Sequence, residues 1–534
     1  MEKARAARKY LIFGLALVLL FLLSYPIIYY PLGRDHAISA YIGKVINEGG
    51  VPFKDGWEQK PPLVYYWYSL AFVLFGESME GIRLFDLLYT FCTMMVLYRL
   101  GTLLFGISAG MLSGILYAAL YLFTNDFWTI SNTDGLLVLP TALSLYTCCL
   151  AQEKNRKVLF FLSGVFMGCV FLIKFPGILI ALPLALYMLI DGLVNKGRSI
   201  KHFWYNLVFV VSGVVLVLFI CMAYFIQHQA WDEMVYILFV FNPIYAKGAF
   251  GVQERMYLDL SLSGFCKKNV LAVLPALYAV SGIRTRGSDL KLFLIVGWLI
   301  ISLIGVYMQY RFFLYHWLPV LGPLALLGAY GLWRIFSQPL VAEKNPLIFR
   351  IKNLVLLVAI IPLALFTFKP YLRQSLDFAR YKSGLMTRFD YCNSYFGRYN
   401  EGDFSFLADE EVAEYVRART DSHDYIFIWG FGTLVYFLAD RASASRFVFP
   451  NALLSAWHPR CAEWRRELIH DLTARKPRYI IVMEKDSLFW ITGTEGDSLQ
   501  NLKNFPSLNN LINNEYSLEK TIEHFHLYRI KSQV

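Results

Sequence analysis

Residues 10–30 read YLIFGLALVLLFLLSYPIIYY, an apolar run of about 21 residues behind Lys3, Arg5, Arg8 and Lys9. At 1.5 Å per residue it can cross a hydrocarbon core of ~30 Å, where every backbone polar group must be satisfied within a helix or a closed barrel. A cleaved signal peptide is disfavoured, because the run is long and no small-residue cleavage site follows. Similar runs recur at 83–105, 107–124, 135–151, 158–173, 176–190, 203–226, 269–283, 291–309, 317–336 and 353–369. Composition agrees: 57% of the 534 residues are hydrophobic and 17% charged, against roughly 25% charged in soluble domains. An ordinary soluble enzyme is excluded.

The reading is therefore a polytopic α-helical membrane protein of eleven spans. One shorter run, Leu63–Gly76, is better placed at the interface than across the bilayer, and that choice fixes parity. The N-terminus then lies inside and the C-terminus outside. Short inner loops should hold the Lys and Arg. They carry Lys154, Arg156, Lys157; Lys196, Arg198, Lys201; Arg284, Arg286, Lys291; and Arg334, Lys344, Arg350, Lys352, whereas the outer loop 125–134 carries none. The outer loop 227–268, with Lys247, Arg255, Lys267 and Lys268, weakens the contrast. The net charge of +11 is thus a statement about topology, and no nucleic-acid partner is implied.

Residues 1–369 form the transmembrane domain, with a first outer loop at 31–82. Within it, Ile38, Tyr41, Ile42, Val45 and Ile46 share one face of a helix capped by Asp35 and ended by Gly49-Gly50, lying on the membrane surface. Residues 370–534 form a soluble α/β domain. Helices are expected at Ala408–Thr420, Thr433–Arg441 and Cys461–Lys476, strands at Tyr425–Trp429, Phe447–Phe449 and Tyr479–Glu484, and a hairpin over Glu515–Ile530. No GxGxxG, P-loop or internal repeat is present. Of the eight cysteines only Cys392 and Cys461 fall in the soluble part, where a disulfide is the minor alternative to two thiols.

Ionisable residues at membrane depth are functional candidates. By the parity above, Asp35, Lys60, Asp134, Lys174, Arg311 and His316 all lie at the outer face. Asp35 could be a general base or a helix cap, and Asp134, heading a span, invites the same two readings with capping ahead. Lys60 in QKPPL is aimed by two prolines and suits a lipid-linked phosphate or ordinary headgroups; Lys174 in LIKFPG could do the same. Arg311 has a donor fork suited to phosphate. His316, in an aromatic stretch, is more often structural. No metal motif is present; Asp35 and Asp134 could share a divalent cation, and two carboxylates of unknown separation leave that open.

The order GRDHAISAYIGKVINEGG, EQKPPLVYYWYSLAFVLFG, IRLFDLLYTF, SNTDGLLVLP, LIKFPG and HWLPVLGPLALL resembles the C-type glycosyltransferases that use dolichyl- or undecaprenyl-phosphate sugars. Within them it is similar to the protein O-mannosyltransferases and the lipid A aminoarabinose transferase. The resemblance reaches to about residue 336 and implies that Asp35 is the catalytic base, that Asp134 is the second-loop acid, and that Lys60 faces the donor phosphate. Many members have DE where this chain has Asp35-His36, and EKPP where it has Gln59-Lys60.

The implied reaction is an inverting transfer of a hexosyl or pentosyl group from a polyprenyl-phosphate donor to a lipid, glycan or protein acceptor in the cell envelope, such as lipopolysaccharide. Lys60, Lys174, Arg311 or His316 would stabilise the departing phosphate, with no nucleotide involved. The protein would be integral to the cytoplasmic membrane, with its C-terminal domain extracytoplasmic. A transporter, flippase or polymerase of lipid-linked glycans is the alternative, as is an inactive sugar-binding protein.

Overall fold

The computed structural model describes residues 2–247, 254–281, 290–337, 346–401, 403–454, 458–492 and 495–531. Arg284, Arg286 and Lys344 of the expected inner loops lie outside them. Eight described helices are long and apolar enough to cross a membrane: Ala7–Tyr29, Met79–Phe105, Thr133–Lys154, Phe175–Asn195, Ile200–Gln227, Leu290–Met308, Leu314–Ser337 and Asn353–Lys382. Three further expected spans form the shorter apolar helices Ile107–Phe123, Lys157–Ile173 and Val270–Ser281, and Leu63–Phe75 is a fourth of that kind. Ile200–Gln227 leaves Val208, Val211, Val215 and Phe219 exposed, a surface that lipid covers at no cost and water would not. The chain is an integral membrane protein.

Packing divides the chain into two compact units that do not follow chain order. One comprises Met1–Tyr29, Ile82–Ala223 and Glu254–Ser375, the other Tyr30–Gly81, Tyr224–Gln253 and Leu376–Val534. Sequence drew the division at 369/370. The last long helix, however, runs on to Lys382, about 45 Å for its 30 residues and longer than the hydrocarbon core.

In the first unit, small residues let helix backbones touch. A Cβ on Gly164 would overlap the Val210 carbonyl oxygen, one on Gly213 the Phe161 carbonyl, and one on Gly331 the Pro275 carbonyl. Apolar side chains gain little by leaving lipid for protein, so close backbone approach supplies much of the association between helices.

The second unit contains a four-stranded sheet in the order β1-β2-β4-β3. Its strands are β1 (Ile426–Trp429), β2 (Tyr479–Met483), β3 (Tyr516–Ile522) and β4 (Phe525–Ile530). β1 and β2 are parallel and buried throughout, which accounts for their unbroken apolar sequences. β3 and β4 form the expected antiparallel hairpin. Helices Phe406–Arg417, Leu434–Ala439 and Cys461–Arg475 stand where expected. Phe447–Phe449 is not a strand: it is irregular chain, and Ser443 makes the bridge to Ile426 instead. Cys392 and Cys461 are separate buried thiols.

The helix Arg34–Asn47 belongs to this unit, and its cap is Gly33, not Asp35. The backbone N–H of Gly33 donates to His36 Nδ1 at 3.2 Å. Eight consecutive residues, His36–Gly43, are buried, with Gly43 close against Tyr68 of Leu63–Phe75. Tyr41 reaches the C-terminal segment, its hydroxyl accepting from the Ser443 backbone at 2.8 Å.

Two predictions follow from this packing. Gly164→Val forces the Lys157–Ile173 and Ile200–Gln227 helices apart, and such overpacking costs about 1–3 kcal/mol; a lower Tm of the detergent-solubilised protein is expected, and an unchanged Tm would contradict the contact. In the helix Phe406–Arg417, burial raises the carboxyl of Asp409 to about 8, against the opposing Arg34 guanidinium. From an ordinary value of 3.8 up to about 8 the folded chain therefore holds a proton that the unfolded chain has lost, so stability falls as pH rises through that window. Asp409→Asn should flatten this fall and give the higher Tm at pH 8; equal slopes for parent and variant would count against it.

Candidate functional site

The six expected residues fall into two groups. Asp35 and Lys60 lie in the second unit; Asp134, Lys174, Arg311 and His316 lie in the first.

Asp35 stands in the first turn of Arg34–Asn47, 38% exposed, its Oδ1 3.9 Å from Lys60 Nζ. Lys60 Nζ is closer to Glu58, 3.2 Å from Oε1. Glu58, only 2% exposed, also accepts from the Lys60 backbone N–H at 3.0 Å and from the Tyr65 hydroxyl at 2.6 Å. The buried carboxylate thus holds both ends of the lysine, and Pro61 and Pro62 fix the chain that follows. Neutralising one buried charge with another is the condition for keeping either there. Sequence reasoning missed Glu58, because the residue directly before Lys60 is Gln59. The signal was one position further upstream, in EQKPP.

The segment carrying these residues is fastened by distant parts of the same unit. The Trp57 N–H donates to the Arg446 carbonyl at 2.8 Å, and Arg446 donates to the Phe53 carbonyl at 2.8 Å and pairs with Glu233 and Glu467. The Gln59 carbonyl accepts from Asn242 at 2.8 Å. Trp57, fully buried, packs edge-on against Phe241 and Trp464.

In the first unit the loop before Asp134 is set by charges inside the helix Met79–Phe105. Arg83, fully buried, donates to the carbonyls of Phe127 and Ile130 and to Ser131 Oγ, all within 2.8–2.9 Å. Asp86 accepts from the Tyr121 hydroxyl and from Ser131 Oγ. Together they hold Ser131 at φ +63°, a left-handed conformation that a non-glycine residue keeps only when its surroundings impose it. The signal for this network is the spacing of Arg and Asp in IRLFDLL, two charges one helical turn apart in an apolar span.

Asn132 then caps the next helix, its side chain accepting from the Thr133 N–H. The capping alternative for Asp134 therefore fails, and its carboxylate is available for other partners. Both oxygens accept from Lys174 Nζ, at 2.7 and 2.6 Å, and the same ammonium donates to Gln309 Oε1 at 2.6 Å. Gln309 Nε2 returns to Asp134 Oδ1 at 3.3 Å. Lys174 can reach in because the helix Lys157–Ile173 ends at it, in extended conformation, with Pro176 two residues on. Lys174, expected at a donor phosphate, thus gives three hydrogen bonds to Asp134 and Gln309. Gln309 was not singled out in the sequence.

His316, 4% exposed, lies in the turn Leu314–Trp317 and lines a cavity with Asp134, Lys174, Gln309 and Trp298. Its Nδ1 has no partner among the described residues. Arg311 is half-buried just before this turn, and its charge and that of Lys174 both act on the ring. No group of three or more His, Cys, Asp or Glu that could hold a metal occurs among the described residues. Asp134 is poorly suited to sharing a divalent cation, since an ammonium already takes both of its oxygens.

Lys174→Met would leave Asp134, 1% exposed, as an unpaired buried carboxylate, and breaking such a pair costs about 3–5 kcal/mol. Asp134→Asn together with Lys174→Met should recover most of the lost Tm. A double variant as unstable as Lys174→Met would show that the pair does not account for the effect.

Residues 59–231, about a third of the chain, match the family model described as dolichyl-phosphate-mannose-protein mannosyltransferase. Residues 408–494 match the model for the C-terminal domain of the competence-induced protein Ccs4. No curated protein matches the chain in sequence. Among solved structures, ArnT from Cupriavidus metallidurans bound to undecaprenyl phosphate is similar over 99% of both chains, with 13% identity and a TM-score of 0.59. The same protein in its apo state matches over 98% of both chains, also at 0.59. Archaeal oligosaccharyltransferase AglB from Archaeoglobus fulgidus, in complex with an inhibitory peptide and a dolichol-phosphate, is 13% identical, with a TM-score of 0.50 over 98% of this chain and 75% of its own. In this segment and in this fold the chain is similar to the C-type glycosyltransferases.

Proposed function

We propose that this chain is a membrane glycosyltransferase that takes a sugar from a polyprenyl-phosphate donor and places it on a lipid, glycan or protein acceptor outside the cytoplasmic membrane. The observation that carries the reading is the arrangement of Asp35, Glu58 and Lys60: a partly exposed carboxylate beside an ammonium that a buried acid holds in place. The match of 59–231 to a mannosyltransferase family begins at Gln59, one residue before this lysine. The solved relative of this fold that holds undecaprenyl phosphate supports a polyprenyl carrier.

In this reaction Asp35 accepts the proton of the acceptor hydroxyl or amine as its oxygen or nitrogen attacks the anomeric carbon. The bond from that carbon to the phosphate oxygen breaks, the sugar inverts, and polyprenyl phosphate leaves with the electron pair. Lys60 stabilises the charge that develops on the leaving oxygen, most strongly where water is excluded. Arg311 and His316 are proposed as further phosphate ligands on their chemistry, while Lys174 serves Asp134. The N-terminus is placed in the cytoplasm and the C-terminal segment outside, on the distribution of Lys and Arg.

The test is mass spectrometry of lipid extracts from cells lacking the protein, complemented with the parent chain, Asp35→Asn or Lys60→Met. A polyprenyl-phosphate sugar should accumulate in the deletion and with Asp35→Asn, at a level at least tenfold above the parent, and partially with Lys60→Met. An Asp35→Asn variant present in the membrane at parental level and restoring the parental lipid profile would overturn the assignment of the base.

A further inference from the structure

We propose that Arg198, Ser199 and Asn206 form a binding site for the phosphate of an anionic lipid headgroup, at the end of the first unit remote from Asp134. The remoteness follows from one helical rod. Asp134 opens Thr133–Lys154 and Gln152, which lines the proposed site, nearly closes it; 18 residues at 1.5 Å separate them by about 27 Å.

A pocket is built there between the ends of three helices. Its polar lining is Gln152, Arg198, Ser199, His202 and Asn206, its apolar lining includes Met188, Leu193 and Phe203, and no carboxylate contributes. Of the two acids next in sequence to the pocket's lining, Asp191 is engaged by Asn195 at 3.0 Å within its own turn, and Glu153 is exposed.

Arg198 is preorganised. Its guanidinium donates to Gln152 Oε1 at 2.9 Å and to the Gln152 carbonyl at 3.3 Å, Gln152 itself donates to the Met188 carbonyl at 2.8 Å, and the Arg198 N–H donates to the Gly192 carbonyl at 2.8 Å. A guanidinium has five N–H donors in a fixed fork, so donors remain for a phosphate after these bonds. Ser199 precedes the 28-residue helix Ile200–Gln227, whose N-terminus favours an anion through its free N–H groups and its dipole.

Asn206 points to a ligand independently of the helix end. It is 4% exposed, lines the pocket, and makes no side-chain hydrogen bond among the described residues. An amide with free donors and acceptor at the wall of a pocket is a ready partner for a polar ligand group. The surroundings favour a lipid as the source of the phosphate. Lys196 and Lys201 flank the pocket, exposed, and Trp204 and Tyr205 beside it are 59% and 46% exposed. Lys157 Nζ lies 4.8 Å from the Tyr205 ring centre. Basic residues next to outward aromatic rings are the composition of a bilayer interface, where anionic headgroups concentrate.

The experiment uses the full chain in nanodiscs of phosphatidylcholine, with phosphatidylglycerol titrated in, and reads bound lipid by native mass spectrometry and Tm by scanning. Parent protein should bind phosphatidylglycerol selectively and gain Tm. Arg198→Gln and Asn206→Leu should each weaken that binding at least fivefold. Arg198→Gln also removes bonds to Gln152 and could misfold; Asn206→Leu removes no hydrogen bond and then decides alone. Parental binding by Asn206→Leu, or equal protection by phosphatidylcholine and phosphatidylglycerol, would overturn the site. Protection by inorganic phosphate alone, lost in the variants, would overturn the lipid as its source in favour of a soluble phosphate.

Discussion

An ion in an apolar helical bundle must find a counter-charge or lose its charge, and the first unit is arranged around that constraint. Arg83, Asp86 and Asp134 are each at most 2% exposed. None can turn to water, so each determines where its partners lie. Arg83 draws in the carbonyls of Phe127 and Ile130, which closes the loop before Asp134, and Asp86 fixes Ser131 in its left-handed conformation. Asn132 is then positioned to start the next helix, and Asp134 is left facing Lys174. The loop is irregular in hydrogen bonding but not loose, because its carbonyls are satisfied by a buried guanidinium instead of by water.

The second unit solves a different problem with the same means. The short segment Pro52–Pro62, whose Glu58 holds Lys60, is itself held by two remote parts of the chain: Glu233 and Asn242 from the middle, Arg446 and Trp464 from the C-terminal segment. This gives the C-terminal residues a physical task, since the Lys60 side chain has the direction it has because Trp57 is enclosed and Gln59 is bonded. The segments Tyr30–Gly81 and Leu376–Val534 therefore fold as one body although some 300 residues part them. A division read along the chain at 369/370 could not have found this, because burial of Trp57 depends on partners that no local pattern announces.

What local pattern does announce was legible. Long apolar runs gave every expected span as a helix, since in lipid no other backbone state satisfies its own polar groups. β1 and β2 could be read from continuous Ile, Val, Phe and Tyr, and the closing hairpin from its alternation. The short stretch Phe447–Phe449 carries the same apolar signature, yet it is irregular, and its burial comes from packing near Trp57 and Trp464, not from a ladder. The charged partners were the least legible. Asp35 and Asp134 both sit where capping residues sit, and only geometry shows that Gly33 and Asn132 hold those places. Gln309 has no recognisable spacing to Asp134 and Lys174, 175 and 135 residues away, because those contacts are made in three dimensions.

The contrast between the two candidate acids bears on which of them can do chemistry. A general base must reach its acceptor's proton within hydrogen-bonding distance, or through one water, and must be free to take it. Asp134 is 1% exposed, and both oxygens already accept from an ammonium at 2.6–2.7 Å. Asp35 has a lysine only at 3.9 Å and more than a third of its side chain open. Lys60 bonds more closely to Glu58 than to Asp35, so an approaching acceptor need not displace it. The difference between the two acids is one of distance and exposure: Asp134 holds a lysine at 2.6 Å in a buried site, and Asp35 keeps one only at 3.9 Å with part of its carboxylate open.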